Sequence, residues 1–179
     1  MPTRARDRLI AAAGELFYAE GIRAVGVERL LAVSGVGRAS FYRHFAGKDD
    51  LVVAMLRDYG ERWCRWLQER VAELGGGPLA VFDALADSFG RAEFRGCASI
   101  NAMVEAADPD SAVHRVAAEH KRAVTAYIDR LLDQAGHEQH RELAEQFMIL
   151  VDGAIITAVR ERTGEPARRA KAIASGLLG

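Results

Sequence analysis

The stretch Gly37-Arg38-Ala39-Ser40-Phe41-Tyr42-Arg43-His44-Phe45 sorts into two chemistries. Phe41 and Phe45 stand four apart, the spacing that puts two side chains on one face of a helix, and such a face suits a core. Arg38, Ser40, Tyr42, Arg43 and His44 spread over the other side. An arginine fork matches the O6 and N7 acceptors of guanine, while Ser, Tyr and protonated His donate to phosphate oxygens. The same pattern also describes an amphipathic surface helix with a solvated polar face.

The remaining candidate constellations do not complete an enzyme. Gly47-Lys48 looks like the end of a phosphate loop, but position 42 is Tyr and position 49 is Asp where that loop needs Gly and Ser or Thr. Gly35-x-Gly37 lacks the third glycine of a dinucleotide fingerprint. Neither the serine-hydrolase elbow nor the His-Glu-x-x-His and Glu-x-x-His metal motifs occur. Cys64 and Cys97 are 33 residues apart, with no close cysteine pair for zinc or a disulfide scaffold. His137 and His140 read as exposed loop residues without a third ligand, so no metal and no cofactor are expected.

Charge and punctuation define the elements that must position the Arg38 stretch. Residues 1–48 hold eight Lys and Arg against four acids, a net +4 in a chain of net −1, so the remainder carries −5. That asymmetry suits a first segment that meets a polyanion, or is a chance fluctuation. Apolar residues recur at three and four positions, as in Leu9, Ala13, Leu16, Phe17 and in Leu51, Met55, Leu56, Tyr59, Trp63, Trp66. No run has the alternation of a strand. Stop signals at Gly21, Gly35, Gly47, Gly75–Gly77, Asp108-Pro109, Gly136 and Gly164 predict an all-α chain of about nine helices. Pro78, Pro109 and Pro166 are expected in first helical turns. The longest apolar runs are a few residues, far below the roughly 20 of a membrane span, and no signal peptide is recognised, so a cytoplasmic protein is expected. Two short helices, at about 26–33 and 37–44, joined at Ser34-Gly35-Val36, describe a helix-turn-helix.

The run Val-x-x-Leu-Leu-Ala-x-Ser-Gly-Val-Gly-Arg-Ala-Ser-Phe-Tyr-Arg-His-Phe-x-x-Lys-x-x-Leu from Val27 to Leu51 resembles the tetracycline-repressor-like (TetR) family of bacterial transcription regulators. Ala11-Ala12-Ala13-Gly14-Glu15-Leu16-Phe17 and Gly21 are similar to that family's first helix. The resemblance covers about residues 5–56. It implies a three-helix DNA-binding domain at 1–47 followed by a helical-bundle ligand-binding and dimerisation domain at 48–179. It also implies a homodimer on a palindromic double-stranded DNA operator, most often as a repressor released by a small effector; the competing reading is a helical protein-binding adaptor.

Carried over by position, the resemblance implies that Arg38, Ala39 and Arg43 face base edges, and that Ser40, Tyr42, His44 and Lys48 hold phosphates. Gly26 and Gly37 stand where the family often has Thr and Ser, so two hydroxyl contacts to phosphate are lost while glycine still caps a helix. Arg4 and Arg6 either reach a flanking phosphate or minor groove or are simply solvated. Trp63, Trp66, Phe82, Phe89, Phe94, Met103 and Tyr127, with Asn101, His114 and His120, are candidates for an effector pocket, though each also fits ordinary core. Cys97 is either a sensor thiol in that pocket or an inert buried cysteine. Phe147, Val151, Ala154, Ile155, Ala158, Ala170 and Ala174 combine bulky and small residues in a candidate dimer seam, with Met148, Leu150, Gly153, Ile173 and Leu177 beside them.

Overall fold

The computed structural model describes residues 4–179, and among them the chain forms nine α-helices and no strand. They are α1 (Ala5–Glu20), α2 (Val27–Ser34), α3 (Arg38–His44), α4 (Lys48–Glu73), α5 (Ala80–Phe89), α6 (Ala98–Ala106), α7 (Ala112–Gln134), α8 (His140–Glu161) and α9 (Glu165–Leu178). None is long and apolar enough to cross a membrane. Gly35 ends α2 in the left-handed conformation at φ 63°, where a side chain would strain the backbone. Pro166 occupies the first turn of α9, whereas Pro78 and Pro109 lie in the turns preceding α5 and α7. The stop signals do not mark the break between α5 and α6, which runs from Gly90 to Cys97 and contains Gly96 at φ 90°.

The chain divides into two compact units, one running to Arg62 and taking up Ala98–His120, the other made of Trp63–Cys97 and Lys121–Gly179. In the first unit Leu9, Leu16 and Phe17 of α1, Leu30 of α2 and Phe41 of α3 pack with Leu51, Val52, Met55 and Leu56 of α4. The boundary drawn from the sequence at 47/48 follows a helix start, whereas packing carries the first turns of α4, together with α6, into the unit that holds α1 to α3. Burial of those α4 side chains, not the helix boundary, decides which core they belong to.

In the second unit α5 packs on α8 and α9, with the rings of Phe82 and Phe147 5.4 Å apart. Lys171 of α9 donates to both carboxylate oxygens of Asp83 on α5, at 2.8 and 2.6 Å. Arg70 of α4 holds Asp87 of α5 at 2.6 Å. The turn into α9 passes so close to α5 that a Cβ on Gly164 would lie 2.7 Å from the Ala86 carbonyl oxygen. Glycine is required there for space rather than for its dihedral angles, since its φ is −79°.

Candidate nucleic-acid interface

The face that α3 turns outward is set by what α3 buries. Phe41 is fully buried and Phe45 nearly so, their rings 6.0 Å apart. Arg38, Ala39, Tyr42, Arg43 and His44 are exposed and Ser40 is half-buried. Tyr42 is 51% exposed and sets its ring edge-on to Phe41 at 5.1 Å, which fixes the direction in which its hydroxyl leaves the surface. The turn before α3 is held by Ser34, whose hydroxyl donates to Leu31 O and accepts from the Val36 amide, both at 3.4 Å. Gly26 and Gly37 are the N-caps of α2 and α3, in extended conformation and without a side-chain cap.

Three cations of this region have intramolecular partners that their residue type did not disclose. Arg38 pairs through Nη2 with the carboxylate of Glu28 on α2. The Arg6 guanidinium lies 5.7 Å from the centroid of the Phe45 ring, so it covers the end of α3 instead of standing free in solvent. Lys48 donates from Nζ to the carbonyls of Ile22 at 2.9 Å and Val25 at 3.2 Å, closing the α1–α2 loop. Two of its three protons are thus given to backbone oxygens, a structural role for Lys48 that its residue type did not disclose. The start of α4 is further screened by Asp50, which accepts the Ala46 amide at 3.0 Å. Arg4 is exposed at the N-cap of α1.

The same loop is tied to α6. The Arg23 amide donates to Glu105 Oε2 at 2.8 Å, and a Cβ on Gly21 would lie 3.5 Å from that carboxylate. Gly21 has φ 91°, a conformation glycine allows. Neither Glu28 nor Glu105 was singled out in the sequence. An acid near the start of α2 marks Glu28 as a first-turn residue, but its Arg38 partner is ten positions away in the chain and becomes visible only once α2 and α3 are folded.

The effector candidates fall in both units, Asn101 and His120 in the first and Trp63, Trp66, Phe82, Phe89, Cys97 and Tyr127 in the second. Trp63 and Trp66 have ring centroids 6.1 Å apart and are half-buried. Phe82 packs on Phe147, and Phe89 on Phe94 at 4.7 Å, with both Phe82 and Phe89 buried. Both rings are therefore part of the packed interior of their unit. Tyr127 is half-buried beneath Arg130, and burial pushes its phenol above the ordinary range against the opposing charge of that arginine. Asn101 lines a cavity of about 20 Å³ with Phe17, Tyr18, Met55 and Tyr59. His120 is buried, and its Nδ1 would lie 3.0 Å from a Cβ on Gly60, so α4 and α7 approach closely there because position 60 has no side chain. Cys97 is buried, and burial raises the pKa of the half-buried Cys64 thiol, the direction opposite to activation. His140 is not an exposed loop residue: it opens α8 with Nδ1 2.6 Å from Asp129 Oδ1.

The candidate dimer seam needs a larger correction. Phe147, Val151, Ala154, Ile155, Ala158, Ala170 and Ala174 are all buried within the single chain. They form the inner stripes of α8 and α9 and leave nothing for a second copy to touch. A second, exposed apolar stripe carries Ile149, Ile156 and Val159 on α8 and Ile173 and Leu177 on α9, with Ile149 73% and Ile173 57% exposed. Gly153 and Gly176 are exposed on the same two helices, with nothing within 4 Å of an added Cβ.

Comparison with known proteins gives a consistent picture. The model for bacterial regulatory proteins of the tetR family matches residues 9–55, the span of α1 to the first turns of α4. A crystal structure of a TetR-family transcriptional regulator from Streptomyces coelicolor is 32% identical, covers 99% of this chain and 90% of its own, and superposes with a TM-score of 0.84. The transcriptional repressor NemR of Escherichia coli is 25% identical over 97% of this chain and 93% of its own length. The multidrug binding protein EbrR, solved in complex with malachite green, is similar in fold alone, at 22% identity and a TM-score of 0.77 over 99% of both chains.

Proposed function

This chain belongs to the TetR family of bacterial regulatory proteins and is a DNA-binding transcriptional regulator rather than an enzyme, and on that premise we propose that it is a homodimeric, ligand-inducible repressor of a palindromic operator. The observation that carries the reading is the outer face of α3, where Arg38, Tyr42 and Arg43 are exposed above a buried Phe41. A helix so anchored presents base-reading and phosphate-holding groups to a major groove, with Arg38, Ala39 and Arg43 at base edges and Ser40, Tyr42 and His44 at phosphates. Gly26 and Gly37 leave backbone amides for phosphates at two helix starts. DNA binding then resides in α1 to α3 with the first turns of α4 packed on them, and the helices that follow carry the effector and dimer functions.

One such helix reads few base pairs, and a two-fold dimer reads two half-sites. The apolar stripe of Ile149, Ile156, Val159, Ile173 and Leu177 supplies the second copy's docking surface, and Gly153 and Gly176 allow close helix approach. The effector is a small, largely apolar or aromatic molecule, a reading supported by the half-buried Trp63, Trp66 and Tyr127 and by the aromatic dye bound to the similarly folded EbrR. It relieves repression by binding the arrangement that does not fit DNA more tightly than the one that does, with α4 tilting between the two.

The test is fluorescence anisotropy of a labelled duplex from just upstream of the protein's own gene, with excess nonspecific competitor at two salt concentrations. Competitor-resistant binding that weakens with salt and is reversed by an aromatic effector supports the reading. Absence of DNA affinity at either salt favours the adaptor.

A further inference from the structure

The Glu28–Arg38 ion pair spans the helix-turn-helix from the first turn of α2 to the first residue of α3. Its side chains are 72% and 60% exposed respectively, and an exposed pair of this kind adds little to stability. Its other consequence is electrostatic. A carboxylate on a surface that meets a polyanion is repelled by every phosphate near it, so Glu28 weakens DNA binding unless its charge stays matched. The neighbouring cation of α2, Arg29, is turned to Glu20 at 3.3 Å, which leaves Arg38 as the guanidinium facing Glu28.

We propose that Glu28 is a positioning residue for base reading, which holds the Arg38 guanidinium in one orientation and so restricts it to a single guanine; this rests on the reading of α3 as the recognition helix. The donor count permits it. Nη2 carries two hydrogens and gives one to Glu28 Oε1. The second Nη2 hydrogen, with one on Nη1 or Nε, still makes the two-donor fork that guanine O6 and N7 accept. If Arg38 instead swings to a phosphate, Glu28 is left unpaired beside the DNA backbone. The carboxylate therefore penalises nonspecific binding more than guanine reading, and specificity is the difference between the two.

The experiment is selection from a random duplex library with the full-length wild type, Glu28→Gln, Arg38→Ala and the double variant in parallel. Anisotropy then follows on the selected duplex and on one with the preferred guanine replaced. The wild type is expected to select one guanine per half-site that depends on Arg38. Glu28→Gln should lower discrimination at that position about tenfold while strengthening binding to unrelated duplex, with a salt slope steeper by about one phosphate contact. In the Arg38→Ala background, Glu28→Gln should leave discrimination unchanged. Discrimination kept in Glu28→Gln overturns the proposal, as does an equal loss with and without Arg38. A wild type that selects no sequence overturns the recognition-helix reading and this inference with it, whereas a wild-type motif shared by Glu28→Gln overturns the inference alone.

Discussion

The helix α3 and the helix pair α8–α9 both set an apolar stripe against a contrasting one, but the contrast differs in kind. On α3 the inner side is aromatic and the outer side is Arg, Tyr and His, so residue type separates a core face from a polar one, and the family match over residues 9–55 directs that polar face at DNA. On α8 and α9 both stripes are apolar, and only packing tells which one the chain uses for itself. Exposed polar chemistry is thus informative in sequence, whereas an exposed apolar stripe is indistinguishable from core until the fold is known.

The largest way to break this comparison is to remove the anchor of the reading face. Phe41→Ala should destabilise the unit containing α3 by about 3–5 kcal/mol, visible as a lower denaturant midpoint and loss of DNA binding together. In the other unit Gly164→Ala forces a Cβ into the Ala86 carbonyl and should cost about 1–3 kcal/mol in thermal unfolding. By contrast, Ile149→Lys combined with Ile173→Lys should convert a dimer to a monomer in sedimentation velocity while leaving the helical circular dichroism unchanged. If the protein stays dimeric, the outer stripe is not the interface.

Lys48→Ala sharpens the account on the α3 side. With Nζ committed to Ile22 O and Val25 O, the substitution should cost about 1–3 kcal/mol of stability and leave the salt dependence of DNA binding unaltered. A slope flatter by about one would return Lys48 to the phosphates. The smallest effect is expected from Gly37→Ser, which has open space around the new side chain. It should raise the unfolding free energy by only about a few tenths of a kcal/mol and tighten binding to all duplexes alike through an added hydroxyl.

The sequence made α3 legible because Phe41 and Phe45 fix its rotation and every other side chain follows. The helix-turn-helix boundaries were legible through Gly35, whose left-handed φ the fold uses. Three features were not. The break at Gly90–Cys97 contains no proline and ends a run whose apolar spacing continues beyond it. The role of Lys48 depends on carbonyls 26 and 23 residues earlier in the chain, which no local pattern reports. The seam residues from Phe147 to Ala174 have the composition of an interface because close-packed helices need small and bulky side chains whether or not they share a chain.

The measurement that bears most directly on the central claim is a comparison of wild type and Arg38→Ala on the duplex the wild type prefers and on unrelated duplex. A loss on the preferred duplex that exceeds the loss on unrelated DNA by about 1–3 kcal/mol, with relaxed choice at one base pair, is the predicted result. An unchanged affinity and an unchanged sequence preference would contradict it, and would remove the outer face of α3 from base reading.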